Sequence, residues 1–169
     1  VKTLLKIALT LLPVVGYTQT YTTFAVKVNA PDSILQSIPR STIEDAISIH
    51  SLKKDTASPS LIVSFTVQDL VINAENIQQF AATKDSSFYV EVLYSLKCEG
   101  ACHNAQNQQI YSGHWGLGQS KYVSAHMPTR QAAEDYWKNN KESLKANFIA
   151  SIIYPSLTAM ANKLNATFP

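Results

Sequence analysis

Alternating apolar and polar positions predict most of the strands in this chain. In LIVSFTVQDLVI, Leu61, Val63, Phe65 and Val67 fall on one side, with Ser64, Thr66 and Gln68 opposite. That is the period of a half-buried strand, here extending from Leu61 to Ile72. Phe88 to Lys97 (FYVEVLYSLK) repeats the pattern, with Phe88, Val90, Val92, Tyr94 and Leu96 on one side. Gln109 to Leu117 (QIYSGHWGL) is expected to pair with it, in a hairpin whose tip spans Cys98 to Gln108, and Lys121 to Ser124 extends the sheet. An earlier strand, Tyr21 to Val28 (YTTFAVKV), is broken by Asn29-Ala30-Pro31-Asp32. The segment from Asn73 to Ser87 is polar, lacks a clear period and is assigned to no element.

Helical spacing takes over elsewhere. Ser41-Thr42-Ile43-Glu44 reads as a capping box after Pro39, opening a short helix to about Ile49. From Thr129, a good N-cap, apolar residues recur at Trp137, Leu144, Phe148, Ile149, Ile152 and Ile153. Pro155 lacks a backbone donor and is expected to kink or restart that helix, which continues through Leu157, Met160, Ala161 and Leu164 to Phe168. The predicted class is α+β: a two-layer sandwich with a mainly antiparallel sheet of about four or five strands. A short helix and a long kinked C-terminal helix cover one face.

The N-terminus departs from this pattern. Lys2 and Lys6 precede an apolar run from Ile7 to Val15, and Gly16-Tyr17-Thr18-Gln19 gives a short polar exit. Residues 1–18 are read as a secretory signal peptide and 19–169 as one domain. The apolar run is well short of the roughly 20 residues that span a bilayer. No cysteine stands at the predicted cleavage site, so the expected product is periplasmic or secreted. Of the 14 basic residues, set against 12 acidic ones, Lys2 and Lys6 belong to this leader. What remains is near neutral, which argues against nucleic acid as a partner because phosphate neutralisation supplies most of that affinity.

Candidate chemistry is sparse. Cys98-Glu99-Gly100-Ala101-Cys102-His103 is the one cluster that stands out. In an exported protein its two cysteines read as a disulfide stapling the hairpin tip. Two other readings stay open. One is haem, although the spacing is one residue longer than C-x-x-C-H; the other is a soft metal on Cys98, Cys102 and His103. Gly113-His114-Trp115-Gly116 matches neither a dinucleotide fingerprint nor a phosphate loop. With Tyr111, it supplies the candidate binding residues Tyr111, His114 and Trp115. Asp69, Glu91 and His114 are the acids and base from which a hydrolytic site would have to be assembled. Tyr89, Tyr94 and Tyr122 are expected mainly to pack across strands. No resident cofactor is predicted.

PSLIVSFTVQDL, the pair FYVEVLYSLK and QQIYSGHWG, and the closing Leu164-Asn165-Ala166-Thr167-Phe168-Pro169 resemble small cell-envelope domains of Gram-negative bacteria. These include uncharacterised lipoprotein domains, and their fold is similar to that of lipoprotein activators of peptidoglycan synthases and of the periplasmic domain of curli-type secretion lipoproteins. The resemblance implies a non-catalytic envelope protein that binds another envelope protein or a cell-wall polymer, with no residue roles attached.

Overall fold

The computed structural model describes residues 20–81 and 86–169; the signal peptide expected at 1–18 lies outside them. In chain order the elements are β1 (Thr23–Asn29), α1 (Asp32–Leu35), α2 (Arg40–Ala46), β2 (Lys53–Lys54), β3 (Leu61–Val67), β4 (Val71–Ala81), β5 (Ser86–Asn104), β6 (Gln109–Val123) and α3 (Arg130–Thr167). The class is α+β. Among the described residues the sheet has six strands rather than four or five, and it curls into a half-barrel instead of lying flat.

The 19-residue β5 is the spine. Its second half pairs antiparallel with β3, from Cys98↔Val67 to Asn104↔Leu61. Its first half pairs antiparallel with β4, from Ser86↔Ala81 to Ser95↔Val71. β6 runs antiparallel along the other edge. β1 lies parallel to both β3 and β2, which makes the sheet mixed. The predicted strand from Leu61 to Ile72 therefore ends at Val67 and restarts at Val71. Gln68 bridges the break by donating its N–H to the Lys97 carbonyl (3.0 Å).

The unassigned segment after Ile72 is a strand through Ala81. Period-two reading missed it for two reasons. As an edge strand it is mostly exposed on both faces, and a register shift between Ile72 and Ala74 breaks its alternation. The expected capping box does not form. Pro39 is the N-cap of α2, no side chain caps the helix, and the helix stops at Ala46 because Ile47 is extended. Thr129 does cap α3, accepting from the Ala132 N–H at 3.1 Å.

One face of the sheet is the core. Leu61, Val63, Phe65, Val90 and Val92 are fully buried there, continuing along β5 through Leu96, Cys98 and Cys102. Ile34, Ile43, Ile47 and Ile49 close the end near β1. α3, 38 residues long, covers β5 and β6 and runs through Pro155 as a single helix. Its residues at spacing four (Phe148, Ile152, Ser156, Met160 and Leu164) form the stripe that meets the sheet.

The sheet beneath this stripe carries glycine. A Cβ at Gly100 would lie 2.7 Å from Met160 Sδ and 2.6 Å from Trp115 Nε1. At Gly116 it would collide with Ser156 Oγ and approach Ile152 Cγ2 to 3.1 Å, and at Gly118 it would collide with Ile152. Ser156 is itself fixed, since its hydroxyl donates to the Ile152 carbonyl (2.6 Å) and stands 3.2 Å from the Trp115 carbonyl. Gly116→Ala is therefore expected to destabilise the fold by about 1–3 kcal/mol through overpacking. Urea melts would read this, and Ser156→Ala in the same chain should recover part of the loss. An additive double mutant would show that the two side chains do not meet.

Candidate functional site

The cysteine cluster does not assemble a site. β5 continues as strand through both cysteines to Asn104, so the hairpin tip is confined to residues 105–108. Asn104 fixes the turn, its Oδ1 accepting from the N–H groups of Gln106 (3.1 Å) and Gln108 (2.8 Å). Cys98 and Cys102 are both buried on the core face and both free. Four residues of strand separate their Cα atoms by about 13 Å, whereas a disulfide needs roughly 4.4–6.8 Å. The predicted staple is thus replaced by two packed thiols. The glycine between them, which looked like a turn residue, serves the approach of α3. His103 points to the opposite face of the strand, so it shares no ligand position with either sulfur. Among the described residues no group of three or more His, Cys, Asp or Glu side chains is placed to hold a metal ion.

Burial pushes both thiols up, each from 9.0 to about 11. The folded state then holds protons that the unfolded state releases, so this contribution to stability is present below pH 9. It is lost as pH rises from there toward about 11. The folded protein should resist a thiol-exchange reagent at pH 8 and react at both cysteines on unfolding. Its mass should not change on reduction. Rapid labelling of the native protein would contradict the burial.

The open face of the sheet is built differently. No helix among the described residues covers it, and its centre carries small or polar side chains: Ser64 and Thr66 from β3, Ala101 from β5, Ser112 from β6. Ala101 is opposite both Ser64 and Ser112 in register. With Gln109, Gly113, Glu99 and His114 they line a shallow groove of about 360 Å³. One end is charged, where the Glu99 carboxylate accepts from Lys97 Nζ (2.5 Å) and lies 3.2 Å from His114 Nδ1. The Lys97 hydrogen bond, reinforced by the Lys97 charge and by His114, holds the Glu99 carboxyl below its ordinary range. At the other end Gln109 Nε2 donates to Ser112 Oγ (3.2 Å). The groove thus offers hydroxyls, an amide, an anion and an imidazole over a floor without bulky side chains.

The three candidate binding residues are divided between faces. His114 faces the groove. Tyr111 and Trp115 face α3, with ring centroids 5.6 Å apart and Lys163 Nζ 6.0 Å above the tyrosine ring. Trp115 occupies the register shift between Cys98/Gly116 and Glu99/His114, which turns it and Gly116 towards the helix. Tyr94 is a core residue stacked on Phe148 at 5.2 Å, and Tyr122 packs against the core with its hydroxyl bonded to that of Tyr136. Tyr89 alone of this group lies on the open face, stacked at 5.0 Å on His126.

Asp69, Glu91 and His114 do not converge. Asp69 sits in the break between β3 and β4, 3.4 Å from Ser33 Oγ. Glu91 pairs with Lys121 at 2.7 Å, and His114 pairs with Glu99. Sequence reasoning missed Ser64, Thr66 and Ser112, whose signal was the polar half of the strand alternation, read only as the solvent side; it placed Glu99 in the hairpin tip, whereas β5 carries it to the groove.

No protein-family model matches this chain, and no curated protein matches it in sequence. Among solved structures it is similar to a minor lipoprotein from Acinetobacter baumannii, at 10% identity and a TM-score of 0.37, over 88% of this chain and 93% of that one. It is also similar to a neuraminyllactose-binding hemagglutinin homolog from Helicobacter pylori, at 10% identity and TM-score 0.47, over 87% and 83% of the two chains. A third similarity is to uncharacterized lipoprotein B from Nitrosomonas europaea, at 12% identity and TM-score 0.41, over 88% and 84%.

Proposed function

We propose that this is an exported cell-envelope protein. Residues 1–18 are removed as a signal peptide, and 19–169 form one domain in the periplasm or outside the cell. The domain binds another envelope protein or a cell-wall polymer without catalysing a reaction on it. The observation that carries this reading is the groove on the uncovered sheet face. Its hydroxyl, amide and carboxylate groups are spread along neighbouring strands, which suits an extended polar chain better than a small apolar ligand. The acids and histidine available for hydrolysis stand apart, in three separate pairings. Among the described residues no helix is long and apolar enough to cross a membrane. The leader-like N-terminus and the resemblance of the strand pattern to envelope domains support the compartment.

Two assays test the reading together: co-sedimentation with purified peptidoglycan sacculi, and photo-cross-linking from position 112 in envelope extracts. The protein is expected to be retained by sacculi or joined to a discrete envelope protein. Ser112→Trp, which fills the groove, should weaken that binding about tenfold or more while leaving the urea midpoint unchanged. Binding that persists undiminished in Ser112→Trp would move the site off this face. Absence of both retention and cross-linking would remove the binding role.

A further inference from the structure

One edge of β4 is bonded to β5; the other, from Val71 to Ala81, has no strand partner among the described residues. Exposed edges of this kind are normally guarded by short length, lysine, proline, a β-bulge or inward-turned charge. β4 is 11 residues long, and its sequence VINAENIQQFA holds no proline and no basic residue. Such guards are confined to its first half: the bulge between Ile72 and Ala74, and its single charge, Glu75, which is opposite Val92 and turned to α3, accepting from the Trp137 indole N–H and from Lys141 Nζ (3.1 Å). From Asn76 to Ala81 the edge is uncharged.

The strand is also complementary to itself. In an antiparallel pairing about a two-fold axis at Asn76, Glu75 faces Ile77 of the second copy and not its own counterpart. Ala74 faces Gln78 of the second copy, and every pair stays on a common face of the sheet. Asn73 is the extra residue of the bulge, since Ile72 is paired with Tyr94 and Ala74 with Leu93. That extra residue shifts the register beyond it by one, so that Val71 comes opposite Phe80 of the second copy at each end, on the open face. Val71 and Phe80 are 50% and 52% exposed, the highest values among the exposed large apolar residues described. One symmetry operation covers both of them twice.

We propose that β4 pairs antiparallel with β4 of a second copy of this chain, joining two sheets into one. An 11-residue strand gives a junction about 37 Å long. Such a junction buries on the order of 1,000 Å², the lower end for a stable interface, so the dimer is reversible.

Sedimentation velocity from about 1 to about 200 µM would follow the dimer, alongside three single variants at exposed or half-exposed positions. Asn76→Cys places two thiols directly opposite each other at the axis, within disulfide reach. Gln78→Cys places its two thiols about 13 Å apart. The native Cys98 and Cys102 are buried and leave the introduced thiol as the reactive one. A concentration-dependent dimer is expected, with rapid cross-linking of Asn76→Cys and little of Gln78→Cys. Asn76→Lys should raise the dissociation constant about tenfold with an unchanged circular dichroism spectrum. A monomer throughout the range would overturn the proposal. So would equal cross-linking at the two positions, or a dimer indifferent to Asn76→Lys.

Discussion

At Gly100, Gly116 and Gly118 the backbone of β5 and β6 lies so close to α3 that one added methyl group would meet Met160, Ser156 or Ile152. The helix presents a stripe at spacing four, and the sheet answers with positions that have no side chain. Trp115 fills the space beside Gly100, and its bulge is what allows two successive β6 residues to face the helix. Cys98 and Cys102 belong to the same layer as small buried hydrophobes, and Ser156 ties the helix backbone to the β6 carbonyl row.

Because the helices pack on one side of the sheet, its opposite face is left without a layer among the described residues. An antiparallel sheet tolerates this when its outward positions are mostly polar, and the outward positions of β3, β5 and β6 include serine, threonine, lysine, glutamate and histidine beside Ile62, Tyr89, Leu93 and Ala101. Where those side chains are also small, at Ser64, Ala101 and Ser112, the surface dips into the groove. Stability and recognition are thus separated onto the two faces of the same strands. Gly100 and Gly113 stand at the division, reached from the helix side and contributing to the groove floor on the other.

The core half of this arrangement was legible from sequence. Leu61, Val63, Phe65, Val67 and Val90 to Leu96 alternate cleanly because one face is buried, and the Thr129 cap announces the start of α3. Four features were not legible, each for a physical reason. β4 is mostly exposed on both faces and bulged, so its period is erased. Cys98-Glu99-Gly100-Ala101-Cys102 looks like a loop because it contains glycine, yet that glycine makes room for a neighbouring helix, a contact distant in sequence. Ser41 and Glu44 have the spacing of a capping box, but Pro39 starts the helix early enough that Ser41 lies inside it. The groove was hidden because polar outward residues read as ordinary solvent-facing positions until register places them side by side.

Native-state hydrogen exchange, followed amide by amide, tests most directly whether the seating of α3 on the glycine strip holds the domain together. The slowest amides of residues 148–164 in α3 and 90–102 in β5 should exchange with one common free energy, equal to that of global unfolding from urea melts. Helix amides that exchange at a distinctly lower free energy, while those of β5 stay protected, would show that the sheet stands without the helix and would contradict the account.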